Sequence, residues 1–96
     1  MAQNKNAQLR YKALDQCFSN FYKKFYIDDL IEFCSKVLSE HYAKSMSVSR
    51  RQIFDDIDFM KSEAGFEAPI VSYKEGRKAY YRYSEKDFSI LKKPLN

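Results

Sequence analysis

Tryptophan is absent from this 96-residue chain, and glycine, proline, cysteine and histidine are nearly so: two Gly, two Pro, two Cys and one His. So little Gly and Pro argues against a disordered chain and against an all-β fold built on many tight turns. Cys17 and Cys34 are too few and too widely separated for a disulfide framework or a C-x-x-C metal or redox motif. Each falls on an apolar stripe, so both are expected as buried, reduced thiols that behave as small core hydrophobes. His41 has no second imidazole beside it and no carboxylate cluster at ligand spacing, so no metal site is expected. G-x-S-x-G, P-loop and H-E-x-x-H motifs are all missing, which leaves no catalytic residue to assign and no enzyme activity or cofactor to expect. No apolar run nears the roughly 20 residues that cross a bilayer, and no apolar signal core follows the polar opening. The expectation is a cytoplasmic protein with no membrane partner.

What the chain does hold is aromatic and basic. It carries eight Tyr, eight Phe, 17 Lys and Arg, and 13 Asp and Glu, for a net charge of +4. At this length one domain with a single modest core is expected, burying somewhat over ~60% of its unfolded surface. The basic balance suits an anionic partner, and the local distribution says more than the total. From Lys44 to Gln52 there are three basic residues and no acid; from Lys74 to Arg82 there are four basic residues against Glu75.

Periodicity divides the chain into three helices and a hairpin. Over residues 6–20, Leu14, Cys17, Phe18 and Phe21 recur on one helical face, with Asn6 as a cap. Residues 21–25 connect, with Lys23 and Lys24 exposed. Over 28–42 the stripe is Ile27, Leu30, Ile31, Cys34, Val37 and Leu38, and Asp28 and Asp29 suit the positive end of the helix. Residues 43–48 form a loop. The third helix is expected over 50–64, with Ser49 and Gln52 as a capping box, Ile53, Ile57 and Met60 as its stripe, and Gly65 as its terminator. The period then changes to two: short strands at 70–73 and 79–83 flank a basic loop, 74–78, in which Gly76 can take a positive φ. Residues 84–96 are polar. The order is that of an α+β, mainly α, three-helix winged helix-turn-helix with a C-terminal β-hairpin wing. The expected division is a polar arm at 1–5, the winged helix-turn-helix at 6–84, and a tail at 85–96.

Two arginines in the first turn of the third helix are out of place for that helix alone. A helix N-terminus carries about half a positive charge, so a cation there costs about 0.3–1 kcal/mol. The placement fits a helix that meets DNA, where arginine grips guanine or phosphate and the terminal amides meet phosphate. Candidate DNA-binding residues are therefore Ser49, Arg50, Arg51, Gln52 and Phe54 on the helix, and Lys74, Arg77 and Lys78 on the wing. Each has a plainer alternative. Arg51 can pair with Asp55, Gln52 can merely close the capping box, and Phe54 can be partly buried instead of touching a thymine methyl. The wing cations can be a soluble hairpin tip. Tyr73, Tyr80, Tyr81 and Tyr83 are expected to pack in the core with a wet phenol end, and Lys5, Arg10, Tyr11 and Lys12 to lie on a solvated helix face. Asp55, Asp56 and Asp58 are not expected to share one helix face, and Asp56 is expected to pair with a basic side chain. The rival function is a protein-interaction module using the Tyr-rich hairpin and Phe54, without DNA binding. A third is single-stranded nucleic-acid binding by tyrosines exposed on one hairpin face.

Three stretches carry a family resemblance: Asn4-Lys-Asn-Ala-Gln-Leu-Arg-Tyr-Lys-Ala-Leu-Asp15, Val48-Ser-Arg-Arg-Gln-Ile-Phe-Asp-Asp-Ile-Asp-Phe-Met-Lys-Ser-Glu63, and Glu75-Gly-Arg-Lys-Ala-Tyr-Tyr-Arg-Tyr-Ser-Glu-Lys-Asp-Phe-Ser-Ile90. The chain resembles the N-terminal DNA-binding domain of WYL-domain transcriptional regulators of the Bacteroidota type. The middle stretch is also similar to the DeoR-like pattern Ser-x-Arg-Thr-Ile-x-Arg-Asp-Leu, with Gln52 where Thr is common and Asp55 where Arg is common. The resemblance implies sequence-specific binding of double-stranded DNA, with helix 50–64 in the major groove and the 74–78 wing on the backbone or minor groove. It also implies homodimerisation in a full-length regulator. A ligand would act only through a sensor domain absent from this chain, to which the tail would lead.

Overall fold

The computed structural model describes residues 5–91. The elements run α1 (Lys5–Phe18), β1 (Phe25–Tyr26), α2 (Ile27–Tyr42), α3 (Arg50–Lys61), β2 (Ile70–Glu75) and β3 (Lys78–Tyr83). The strands form one antiparallel sheet in the order β1-β3-β2. This is the winged helix-turn-helix arrangement, with the β2–β3 hairpin as its wing.

The expected stripes make the core. Leu14 and Phe18 of α1, Leu30 and Cys34 of α2, Ile53 and Met60 of α3, and Tyr83 of β3 are all buried. Cys17 and Cys34 are free thiols inside this core, and burial pushes both up to about 12. A buried thiolate would lose its hydration, which is why the protonated form is held.

α2 starts cleanly because the Asp29 carboxylate accepts from the Tyr26 amide at 3.0 Å. It ends at Ala43, whose φ of 55° is left-handed and whose amide donates to the Ser39 carbonyl. Two serines of α2 then hold the turn that aims α3. Ser39 Oγ accepts from the Met46 amide at 2.9 Å, and Ser35 Oγ accepts from the Val48 amide at 3.0 Å.

Several expected boundaries move. α1 already includes Lys5, so Asn6 lies inside its first turn and is not the cap. Of the arm at 1–5, residues 1–4 lie outside the described residues, as do 92–96 of the tail. Strand β1 was not legible, because two residues carry no period; pairing with β3 makes it a strand. α3 stops at Lys61, three residues early, with Ser62 as its cap. Gly65 is not a left-handed terminator; the positive φ falls at Glu67, 49°. Gly65 instead lets the chain pass against α3, since a Cβ there would sit 2.1 Å from the Phe59 carbonyl oxygen. The hairpin is longer than expected, and its turn is only Gly76 and Arg77, with Gly76 at φ 65°. Lys74 and Lys78 therefore stand on strands and not in a loop.

The tyrosines divide by the pleat. Ile70 pairs with Tyr83, and both are buried. Tyr73 pairs with Tyr80 on the opposite face, their rings stacked at 5.3 Å, and Tyr26 of β1 meets Tyr80 edge-on at 6.0 Å. Core packing thus describes Tyr83 and, half-buried, Tyr81, whereas Tyr73 is exposed and Tyr80 half-buried on the outer face. After β3 the chain turns back. Phe88 packs on Tyr83 at 4.7 Å and Ile90 is buried. Arg10 and Tyr11 are not on a solvated face: Tyr11 is buried and stacks on Phe59 at 5.2 Å. Of that group Lys12 is exposed.

Candidate nucleic-acid interface

The first turn of α3 is set by its cap. Ser49 is extended, and its Oγ accepts from the Gln52 amide at 3.0 Å. One otherwise unpartnered donor of the helix start is satisfied, and Arg50 and Arg51 project into solvent. The capping box closes only half-way, because the Gln52 side chain turns the other way and donates to Asp56 Oδ1 at 3.0 Å. Asp56 is buried and takes two bonds from Arg10: Nε to Oδ2 at 2.6 Å and Nη2 to Oδ1 at 3.2 Å. The expected basic partner of Asp56 is therefore Arg10 of α1.

Opposite the Ile53, Ile57 and Met60 stripe, α3 shows Arg51, Asp55 and Asp58, all exposed. Spaced four and three apart, they share one face. Asp55 and Asp58 lie together on this face while Asp56 is turned inward, so the three acids do not share one face, as expected. Among the described residues Arg51 makes no ion pair with Asp55; the ion pairs there are Arg10–Asp56 and Lys24–Glu75. Phe54 lies on the flank toward the sheet, half-buried, its ring 6.4 Å from Tyr81, and Arg50 caps it at 5.7 Å. Partial burial is the reading of Phe54 that the packing supports.

On the wing, Glu75 is the one acid, and it is occupied. Lys24 Nζ lies 2.5 Å from its Oε2, and the Tyr26 hydroxyl donates to the same carboxylate. These two contacts, the ammonium first, hold the Glu75 carboxyl below its ordinary range and raise Lys24 in turn. Lys74, Arg77 and Lys78 are left as exposed cations.

α3 and the wing face each other across an open cleft of about 400 Å³. Arg50 and Phe54 line it from α3, Arg77 and Lys78 from the wing, Tyr26 from β1 and Asp28 from the first turn of α2. Four of the eight candidate residues thus meet in one place. Ser49 and Arg51 stay on the outer turn of α3, Gln52 leans toward α1, and Lys74 stands outside the cleft. The contributors not singled out from the sequence are Tyr26, Asp28, Lys24 and Arg10, whereas Asp56 finds the basic partner expected of it. Asp28 was visible as a first-turn acid, but its nearness to the wing depends on the β1–β3 pairing.

Over residues 6–84 the chain matches the family described as WYL domain-containing protein, N-terminal winged helix domain. No curated protein and no solved structure matches it. With 79 of 96 residues matched, the chain belongs to this family of winged helix domains.

Proposed function

From that membership and the cleft, we propose that the chain is the sequence-specific, double-stranded DNA-binding module of a transcriptional regulator, without catalytic activity of its own. The carrying observation is that Arg50 of α3 and Arg77 and Lys78 of the wing line one cleft. α3 enters the major groove by its N-terminal half, where Arg51 reaches a guanine edge and Arg50 and the capped helix start meet phosphate. The wing follows the adjacent backbone or minor groove with Lys74, Arg77 and Lys78. Asp55 and Asp58 on the outer face of α3 repel phosphate and so oppose any shifted docking of the helix. One such module makes a small interface, so affinity is gained by pairing two copies on paired half-sites in a full-length regulator. Such a protein works in the cytoplasm, with any ligand acting through a separate sensor domain.

Two packing details favour duplex DNA over the rival partners. Two of the three outer tyrosines carry cations over their rings: Lys24 and Arg82 lie 5.2 Å and 4.9 Å from the Tyr80 ring, and Lys78 lies 5.6 Å from Tyr26, while Tyr73 stacks on Tyr80. Bases could stack there only by displacing them, which weighs against a single-strand platform. The large exposed hydrophobics among the described residues are Tyr22, Tyr73 and Leu91, one each before β1, on β2 and after β3, which is little apolar surface to offer a protein partner.

The test is binding of the chain to a randomised duplex pool across a salt series, followed by sequencing of the bound fraction. An enriched motif with steep salt dependence is expected. Salt-dependent binding with no motif would reduce the module to a backbone binder. No binding at low salt would overturn the reading in favour of a protein partner.

A further inference from the structure

The buried polar cluster behind α3 bears on how a base would be read. Asp56 and Arg10 are held from water, with side-chain exposures of 3% and 11%. An ionised carboxylate can only accept hydrogen bonds, so the group that Gln52 turns toward Asp56 must be its NH2. The orientation of the amide is thereby fixed by charge and needs no choice between look-alike atoms. Its carbonyl oxygen accepts nothing among the described residues and is not sealed from solvent. Gln52 sits one residue past Arg51, on the flank of the first turn.

We propose that Arg10 and Asp56 are positioning residues for sequence readout, locking Gln52 so that its carbonyl is the end offered to a base. This rests on the duplex-DNA reading above and adds to it a base class. A carbonyl presented in the major groove is satisfied by an exocyclic amino group, N6 of adenine or N4 of cytosine, and is repelled by O6 of guanine or O4 of thymine. The remaining N–H of the same amide can reach N7 when the base is adenine. Arg10 acts at one remove: its two bonds hold the Asp56 carboxylate in place, and it touches no DNA.

The experiment compares selected motifs for wild type, Gln52→Ala and Asp56→Asn, each with its thermal melt and salt slope. In wild type one position should favour A or C over G or T by roughly tenfold, the scale of one well-placed amide contact. Gln52→Ala should bring that ratio to about one and leave the other positions alone. In Asp56→Asn the neighbouring amide can donate as well as accept, so Gln52 can turn either way; the ratio should fall below about threefold with the salt slope unchanged. A merely structural Asp56 would weaken every position alike and keep the pattern. If Asp56→Asn fails to fold, the double change Arg10→Met with Asp56→Asn removes the stranded cation and carries the same expectation. Amide exchange in free wild type gives an independent reading. The Gln52 side-chain protons should exchange more slowly than those of exposed Gln8 and Gln16, and equal rates would overturn the lock. A wild-type motif that Gln52→Ala leaves unchanged at every position sinks the inference and spares the DNA reading. Absence of any DNA binding sinks both.

Discussion

Asp15 and Asp56 are buried to the same degree, each 2% exposed, yet the two are kept in different ways. Asp56 sits between α1 and α3 and faces a cation, Arg10, with Gln52 as third donor. Asp15 sits at the other end of α1 and has neutral donors: the Tyr83 hydroxyl at 2.5 Å, Ser89 Oγ at 2.8 Å and the Ile90 amide at 3.0 Å. A buried charge must be paired or hydrogen-bonded, and this domain uses one solution at each end. The difference follows from what each end holds. The Asp15 end ties the close of β3 and the segment after it to α1, where polar backbone is already at hand. The Asp56 end lies behind the first turn of α3, and its ion pair is continuous with a side chain of the candidate interface.

The largest effect is expected of Asp15→Ala. Truncation strands a buried phenol and a buried amide, each costing about 1–3 kcal/mol, so a loss of about 4 kcal/mol is expected in urea unfolding. That is a large share of the roughly 5–15 kcal/mol of a typical domain. Far-UV signal lost at lower urea, together with earlier proteolysis after residue 84, is the expected pattern. A loss under about 1 kcal/mol would mean that the donors find water and that the segment is only loosely docked.

Asp56→Ala should cost somewhat less, about 3 kcal/mol. Breaking a buried pair costs about 3–5 kcal/mol, and the Arg10 side chain, at 11% exposure, is less completely buried than Asp56, which puts the penalty at the lower end. Replacing both partners together, as in Arg10→Met with Asp56→Met, should recover much of the loss, because an apolar pair needs no desolvation of charge. No such rescue is available at Asp15, where the orphaned amide belongs to the backbone. A double variant no more stable than the single one would erase the distinction between the two ends.

Alkaline pH sharpens the same contrast. Tyr83 is raised above its ordinary 10.0 by burial first and then by its bond to Asp15, and burial raises both thiols from 9.0 to about 12. Below pH 9 folded and unfolded chains hold these protons alike. Above it the unfolded chain releases thiol protons that the folded chain keeps, so stability falls as pH rises. Each thiol contributes about 1.4 kcal/mol per pH unit, or about 2.7 for the pair, until the folded pKa is reached. Above pH 10 Tyr83 adds in the same direction, so Tyr83→Phe should show a shallower decline there than wild type. The slope therefore reports the Asp15 end and the core thiols. A urea midpoint flat from pH 8 to 10.5 would contradict the burial of both thiols.

These polar ends also mark where the sequence stops being readable. The helices, the hairpin and the core stripes show in periodicity, because Leu14, Leu30, Ile53 and Met60 each repeat a local rule. Asp56 meets a partner 46 residues away, and Asp15 meets partners 68 to 75 residues away. No local spacing records such contacts. Asp56 was expected to find a basic partner, but nothing pointed to Arg10, which reads as one more cation on a polar face. β1 is illegible for the same reason, since Phe25 and Tyr26 become a strand only where β3 arrives. At the candidate site, Arg50, Arg51 and the wing cations could be named from charge placement. Their division between a shared cleft and an outer turn could not, because it depends on the angle between α3 and the sheet.

A third carboxylate completes the comparison and gives the smallest effect on stability. Glu75 is held by Lys24 and Tyr26, as Asp56 is held by Arg10 and Gln52, but in open solvent at the wing. Water already solvates all three groups there, and salt screens them, so the contact has little to add to folding. Glu75→Gln should leave the urea midpoint where it was. Its consequence belongs to binding. The variant removes the one acid among the wing cations and frees Lys24, so affinity for duplex DNA should rise and the salt slope steepen by about one phosphate equivalent. If binding weakens instead, Glu75 serves to hold Lys24 and Tyr26 against the wing. The exposed contact would then position the interface, as the buried pair behind α3 is proposed to do.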